Sequence, residues 1–445
     1  MIKLKQIYTK SLLENIYQNK IGRNTIWMLM GHGGRVFLQG LYIILLARTL
    51  GVEQFGVYAG ALALVFILSP FAGWGSGKLL IMHVARNPAS FPVYWGNALI
   101  AVWVSGCIFT LIILLIGPSI LPNMSLNILI LMAITEFFFG KLYEISTEVF
   151  QAHELLLMTA KLNILINALR FGAVVVFINF ASQTTLYLWI WCYLLSTILA
   201  ALIGLFMVHL KFGAPRPCLI LLKRNYKDGF YFALGLASYS IYNDIDKTML
   251  LKFSSSEATG IYTIAYRIIA MAFLPVMALL NSCYAHFFKE GNQGIKESFK
   301  FAKRLLPFSV SYGIVAVLVL IAFAPIIPFL LGKDYNQSVE AIRWLSLLVL
   351  FQSIYYFLAD ALTGAGYQKV RSAIQMGAAL LNVCLNLLLI PLYSWKGAIW
   401  ASITTDGVLI ITFGIAVMYF IKSQNARGYK VGFKNMKAGV CKNED

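Results

Sequence analysis

The sequence is short of charge. Of its 445 residues only 12% are Asp, Glu, Lys or Arg, while 60% are hydrophobic. Soluble globular proteins carry about 25% charged residues, so a mostly water-exposed surface is excluded. Cysteine is scarce too. The six (Cys107, Cys192, Cys218, Cys283, Cys384 and Cys441) form no CxxC and no ligand-like cluster. Three of them fall in apolar runs and Cys283 at the edge of one, where a thiol packs as a small hydrophobe, so neither a disulfide framework nor a metal site is expected. Long polar stretches are also missing. No segment between apolar runs is long enough to fold as a domain, which leaves a receptor reading without support. No small-residue cleavage site follows the first long apolar run, which starts near Thr25, so no cleaved leader is expected.

What is present is a succession of apolar runs of the length that spans a bilayer, about 20 residues. They place helices near 24–47, 54–77, 94–116, 126–149, 160–181, 185–208, 228–251, 258–282, 305–330, 341–363, 372–391 and 397–421. The fold class expected is an all-α integral membrane protein of about twelve transmembrane helices. The net charge of +18 is distributed by side, not by patch. With the N-terminus inside, 26 Lys and Arg lie in or at the edge of cytoplasmic segments, against five opposite: Arg48, Lys252, Lys333, Arg343 and Lys396. That is the positive-inside bias. It puts both termini in the cytoplasm and removes nucleic acid as the reason for the basicity.

The two halves resemble each other at an offset of 204 residues: LARTLGVEQFGVYAGA matches LLKFSSSEATGIYTIA, with Glu53, Gly56 and Tyr58 over Glu257, Gly260 and Tyr262. Gly31 likewise falls over Gly235. Six helices per half give repeats of the same orientation, related by an axis along the membrane normal with a cavity between them. The expected organisation is a lobe at 1–208 with a cytoplasmic tail at 1–23, a cytoplasmic linker at 209–227, a second lobe at 228–421 and a basic tail at 422–445.

Polar residues inside the spans mark where work is done. Gly31, His32, Arg35, Gln39 and Tyr42 share one face of the first helix. Gly235, Tyr239, Tyr242, Asn243 and Asp246 repeat the pattern on the seventh, with Gln39 over Asn243 and Tyr42 over Asp246 at the repeat offset. Such stripes often only join helices, but a charge at mid-bilayer costs about 2.5–3.5 kcal/mol on insertion scales and marks an aqueous path or an ion partner. Lys141, Glu144 and Glu148 lie close on one helix and suit internal pairing. Arg35, Arg170 and Arg267 have no carboxylate three or four positions away. They are the better candidates to meet an anion, unless another helix supplies a partner. The expected cavity residues are therefore Arg35, His32, Gln39, Tyr42, Lys141, Arg170, Tyr239, Asn243 and Arg267. Asp244, Asp246, Asp360 and Asp406 are candidates for coupling to a proton or sodium ion.

Three motifs fail on geometry. Asp244-Ile245-Asp246 spells a metal-binding DxD, yet residues two apart on a helix point about 200° from each other. Ala72–Leu79, AGWGSGKL, lacks the first Gly and the final Ser or Thr of a phosphate loop. His153-Glu154 lacks the second His of a zinc protease. No catalytic constellation and no cofactor site remain.

Together these segments resemble the polysaccharide-unit exporters, the O-antigen (Wzx-type) flippases of the MATE-like (MOP) exporter superfamily. ARTLGVEQFGVYAGA is similar to that family's signature after its first helix, and WGSGKLLIMHVAR to its second-helix ending. NDIDKTMLLKF with ATGIYTIAYRI resembles its seventh-to-eighth segment, and NLLLIPLYSWKGAIWAS its eleventh-to-twelfth junction. The resemblance implies two six-helix lobes around a central cavity in the bacterial inner membrane. It also implies alternating access that carries an undecaprenyl-diphosphate-linked glycan outward for O-antigen, lipopolysaccharide or related surface polysaccharide, beside polymerase machinery. Arg residues suit the diphosphate. The peptidoglycan-precursor flippase of the same superfamily usually has two further helices. Multidrug or other export by the same fold is the alternative. A membrane-embedded glycosyltransferase or polymerase fits less well, because the outward loops are short.

Overall fold

The structure, a computed structural model, describes residues 20–122, 124–180, 184–224 and 226–427, all helix and turn with no strand among them. In hydrocarbon each backbone N–H and C=O must find an internal partner, which leaves helices as the way to span for a chain of this pattern.

α1 (Lys20–Leu68) is two helices run together, with Gly51 between them at φ 73°, ψ 170°. That left-handed position is open to glycine at little cost. The second span is not the unbroken 54–77 helix expected. Pro70, which has no N–H to donate, opens a 3-10 turn at Ser69–Phe71, and Gly73, Trp74 and Gly75 follow at φ 83°, 52° and 67° before α2 (Ser76–Arg86). α3 (Phe91–Ile120) comes next. α4 (Leu126–Ile134) and α5 (Lys141–Ala152) form one rod through a π-helical turn at Thr135–Gly140. α6 (Leu156–Phe180), α7 (Leu186–Phe212), the short α8 (Leu219–Arg224) and α9 (Tyr226–Phe253) complete this stretch. The rest comprises α10 (Ser256–Ala272), α11 (Leu274–Gly291), α12 (Ile295–Phe323), α13 (Ile326–Leu331), α14 (Asn336–Gly364), α15 (Gln368–Tyr393) and α16 (Trp395–Arg427).

Among the described residues eight helices are long and apolar enough to cross a membrane, or nine if the pair Ser256–Ala272 and Leu274–Tyr284, bent by 43°, is one span. Twelve spans and two cytoplasmic termini remain expectations. α7 shows the inside-out logic. Leu195, Leu199, Leu202, Phe206 and Leu210 are exposed along one face, while Tyr193, Thr197, Ala200, Gly204 and Val208 are buried on the other. An apolar stripe facing out with small and polar residues facing in is the arrangement lipid favours. At Gly204 an added Cβ would sit 3.1 Å from the Ser146 side chain, so α7 and α5 meet at small residues.

By contacts the chain divides into two compact units. The first holds the described residues up to Thr263 with Ile327–Asn336, the second Ile264–Ile326 with the residues from Gln337 on. α9 belongs to the first unit, where the Thr248 hydroxyl donates to the Gly60 carbonyl at 3.1 Å. The first unit's core includes Leu80, Val84, Trp95, Val102, Leu142, Ile145, Phe150 and Ala200. Lobes at 1–208 and 228–421 stand as a proposal beside this division.

Candidate functional site

In the first unit a charged cluster is built into the bundle. The π turn carries Glu136, 7% exposed. From α6, Arg170 places Nη2 3.5 Å from Glu136 Oε1. The Tyr193 hydroxyl, from α7, donates to the same oxygen. The guanidinium also lies over the Tyr193 ring, 4.5 Å from its centroid, a cation–π arrangement. Tyr58 meets Tyr193 edge-on at 5.9 Å, and Tyr42 and Tyr58 stand within electrostatic reach of Arg170. Arg170 Nε and Trp189 Nε1 are buried with no hydrogen-bond partner among the described atoms. Two N–H donors are thus left without an acceptor among the described residues. Buried donors left without a partner favour an acceptor such as water, a sugar hydroxyl or a phosphate oxygen.

The polar face of the first span borders this cluster. Tyr42 is buried and Gln39 half-buried. Arg35 is exposed, makes no ion pair among the described residues, and lies within electrostatic reach of Tyr143. Tyr143 in turn donates its hydroxyl to the Leu162 carbonyl of α6. The side chains of His32 and Tyr239 lie outside the described residues.

The trio of Lys141, Glu144 and Glu148 on the fourth span pairs only in part within itself, its two acids taking different cations. Lys141 Nζ meets Glu144 Oε2 at 2.9 Å, whereas Glu148 Oε1 takes Lys78 Nζ of α2 at 2.7 Å. A Cβ at Gly77 would overlap the Glu148 carboxylate, so a side chain there would push that carboxylate aside. Beyond the spans, burial and then Arg86 hold His83 below the usual imidazole range, and its ring stacks on Tyr94 at 4.4 Å.

α9 gathers a second cluster. Asp246, 3% exposed, accepts from the Tyr262 hydroxyl of α10 and from the Lys247 N–H at 2.8 Å. Lys247 Nζ reaches Asp244 Oδ1 at 2.9 Å and Asp246 Oδ1 at 3.6 Å, and donates to the Asn243 carbonyl. Its Cα–Cβ bond points away from Asp246, yet four methylenes bring the ammonium back. One cation is therefore shared by two carboxylates. In the second unit Asp360 is paired with Arg371 Nη1 at 2.7 Å, which also donates to Thr363. Asp406, 1% exposed, accepts from Gln352 Nε2 at 3.4 Å. Arg267 is half-buried, its Nε without a hydrogen-bond partner among the described residues. Among the described residues no group of three or more His, Cys, Asp or Glu could hold a metal ion.

Sequence spacing missed Tyr193, Tyr262 and Lys78 as partners. Tyr262 had a signal: it is the repeat equivalent of Tyr58, and both phenols sit at a charged cluster.

The sequence pattern of the polysaccharide biosynthesis protein family matches residues 21–282, more than half of the chain. An uncharacterized membrane protein of Methanocaldococcus jannaschii is 26% identical over 258 residues, 54% of this chain and 60% of that protein, so the match spans less than two thirds of this relative. An inward-facing multidrug resistance MATE family transporter of the MOP superfamily superposes with a TM-score of 0.72 at 14% identity, covering 89% of this chain and 99% of that one. A MOP superfamily transporter from Pyrococcus furiosus, described by the reversed polarity of its binding pocket and a different function suggested by it, gives 0.61 at 15% identity over 90% and 96%. At such identities the two structures speak to fold alone. The chain belongs to the polysaccharide biosynthesis protein family and has the fold of the MATE and MOP superfamily transporters.

Proposed function

We propose that this protein is a flippase. It moves undecaprenyl-diphosphate-linked oligosaccharide units from the cytoplasmic to the outer leaflet of the bacterial inner membrane by alternating access, for O-antigen or a related surface polysaccharide. The observation that carries the reading is a buried, donor-rich cluster of one guanidinium and two phenols (Arg170, Tyr42, Tyr193) in a chain whose outer face is hydrocarbon and whose family serves polysaccharide biosynthesis. The lipid tail stays in the bilayer while the diphosphate and sugars pass along that interior. Arg35, Arg170, Arg267 and Lys141 offset the phosphate charge, with guanidinium forks matching phosphate oxygens. His32, Gln39, Tyr42, Tyr239 and Asn243 supply hydrogen bonds to hydroxyls.

Purified protein in liposomes carrying a labelled undecaprenyl-diphosphate glycan on one leaflet should speed its appearance on the other. A rate equal to that of protein-free liposomes would refute the flippase reading. Coupling is proposed at Asp246, whose one cation is shared with Asp244, and at Asp406; these are the least exposed of the four candidate acids, and a carboxylate inside a span is costly unless its charge is offset or it titrates in the work cycle. Asp246→Asn and Asp406→Asn are each expected to flatten the dependence of transport on pH or sodium. Unchanged profiles in both variants would make these acids structural.

A further inference from the structure

A groove of about 590 Å³ lies on the second unit, lined by residues of α12, α14 and α16. Ile411, Ile415, Met418 and Lys422 follow one another along one face of α16, and all four line it. The three apolar members are 61–63% exposed. Leu358 of α14, which is buried, and Phe299 of α12 also belong to the lining. At Gly414 the stripe has a gap, because a Cβ built there meets no described atom within 4 Å. From Ile411 to Lys422 the groove runs about 16 Å at 1.5 Å per residue. The hydrocarbon of one leaflet is about 15 Å deep, half of the bilayer core.

Basic residues gather at the Lys422 end. There the end of α16 meets the start of α12, where Gln424 Nε2 donates to the Gln293 carbonyl at 3.5 Å. Lys296 and Lys303, three before and four after Phe299, share its face of α12, and both are exposed. The nearby carboxylate of Glu297 is engaged by Lys300 at 3.4 Å. All of these residues fall on the side rich in Lys and Arg, the inner side by the charge bias.

We propose that this groove binds an anionic phospholipid of the inner leaflet: one acyl chain lies along the α16 stripe over Gly414, and the phosphate meets Lys422. Lys296 and Lys303 add positive charge beside it. Basic pockets between spans on the cytoplasmic side are where anionic headgroups are held. A glycan finds little here, since Tyr419 and Lys422 are the two polar side chains among the described lining residues. The groove therefore suits a lipid without sugars, and the assignment stands apart from the transport reading. A lipid seated there bridges α12, α14 and α16 and stabilises the folded chain by mass action.

The test releases the full-length chain from bilayers of phosphatidylcholine and phosphatidylglycerol into mild detergent. Native mass spectrometry then counts the lipids that each protein keeps. The parent is expected to keep phosphatidylglycerol in preference to phosphatidylcholine. Gly414→Leu fills the gap and replaces a poor helix former with a good one, so it should fold and lose that lipid. Lys422→Ala should weaken retention about fivefold, the share of one basic residue beside anionic lipid, and Lys422→Arg should keep it. Added phosphatidylglycerol should raise the melting temperature of the parent but not of Gly414→Leu.

Equal retention by the parent and folded Gly414→Leu would overturn the site, as would a parent that does not distinguish the two lipids. Should Gly414→Leu not fold, Lys422→Ala decides alone, and unchanged retention there overturns the site. Two other occupants have their own signatures. Undecaprenyl phosphate that displaces phosphatidylglycerol at a lower concentration than phosphatidylglycerol rebinds would give the groove to the carrier lipid. A dimer that Gly414→Leu dissolves would give it to a second copy of the chain. Either result overturns the phospholipid assignment.

Discussion

Arg170→Ala should lower the stability of the purified protein by about 3–5 kcal/mol, the usual result of removing one partner from a buried ion pair. The loss comes less from the missing attraction than from what stays behind. Glu136 is 7% exposed, and its Oε1 would keep only the Tyr193 hydroxyl as a donor. Replacing the acid as well, in Arg170→Met with Glu136→Gln, removes the stranded charge and should recover most of the loss. Melting in one detergent, followed by size exclusion, reads all three proteins. A melting temperature for Arg170→Ala equal to that of the parent would mean that the pair carries no stability. Transport separates the second role of this arginine. The double variant should be folded yet slow, because the donors that would face a phosphate or sugar are gone.

Arg35→Ala is expected to behave in the opposite way. Arg35 makes no ion pair among the described residues and is exposed in the protein without lipid or substrate, so its removal strands nothing and the protein should reach the membrane in normal amount. A charge-assisted contact to the carrier diphosphate contributes roughly 1.5–3 kcal/mol, so affinity should fall about ten- to a hundredfold. Arg35→Lys should recover part of it, since an ammonium restores the charge but not the fork. Surface polysaccharide and the amount of folded protein are measured together. Full transport by well-expressed Arg35→Ala removes this residue from the binding site. Low expression rescued by removing an acid would assign it to a structural pair.

Much of the architecture could be read from hydropathy because lipid simplifies the problem: any segment of sufficient length and apolarity becomes a helix. Two glycines were legible for a different reason. Gly56 and Gly260 matter as backbone, since an added Cβ would overlap the Ser256 and Val52 carbonyls, and a position that excludes every side chain leaves a plain mark in sequence. The breaks were harder. Nothing in the spacing of Thr135–Gly140 announces a π turn, and the interruption at 69–75 rests on left-handed angles at Gly73, Trp74 and Gly75, one of which is not a glycine.

Ion partners were legible only along a helix. Lys141 and Glu144 are three apart and meet as expected. Glu136 and Arg170 come from different helices, and so do Lys78 and Glu148, so helical spacing carries no trace of either pair. Lys247 shows a further limit, because the direction of a Cβ does not fix where a long flexible side chain ends.

The way these charges are shared also bears on how the chain enters the membrane during synthesis. Lys141 and Glu144 arrive on the same helix and can be handed to the bilayer as a neutral pair. Glu136 cannot, because its cation is carried by the helix made next. A lone carboxylate on an isolated span adds about 2.5–3.5 kcal/mol to its insertion, so the Leu126–Ala152 rod gains from waiting beside the insertion channel until α6 emerges with Arg170. The two helices are best released as a hairpin, and α6 acts in that moment as an intramolecular chaperone for the helix before it.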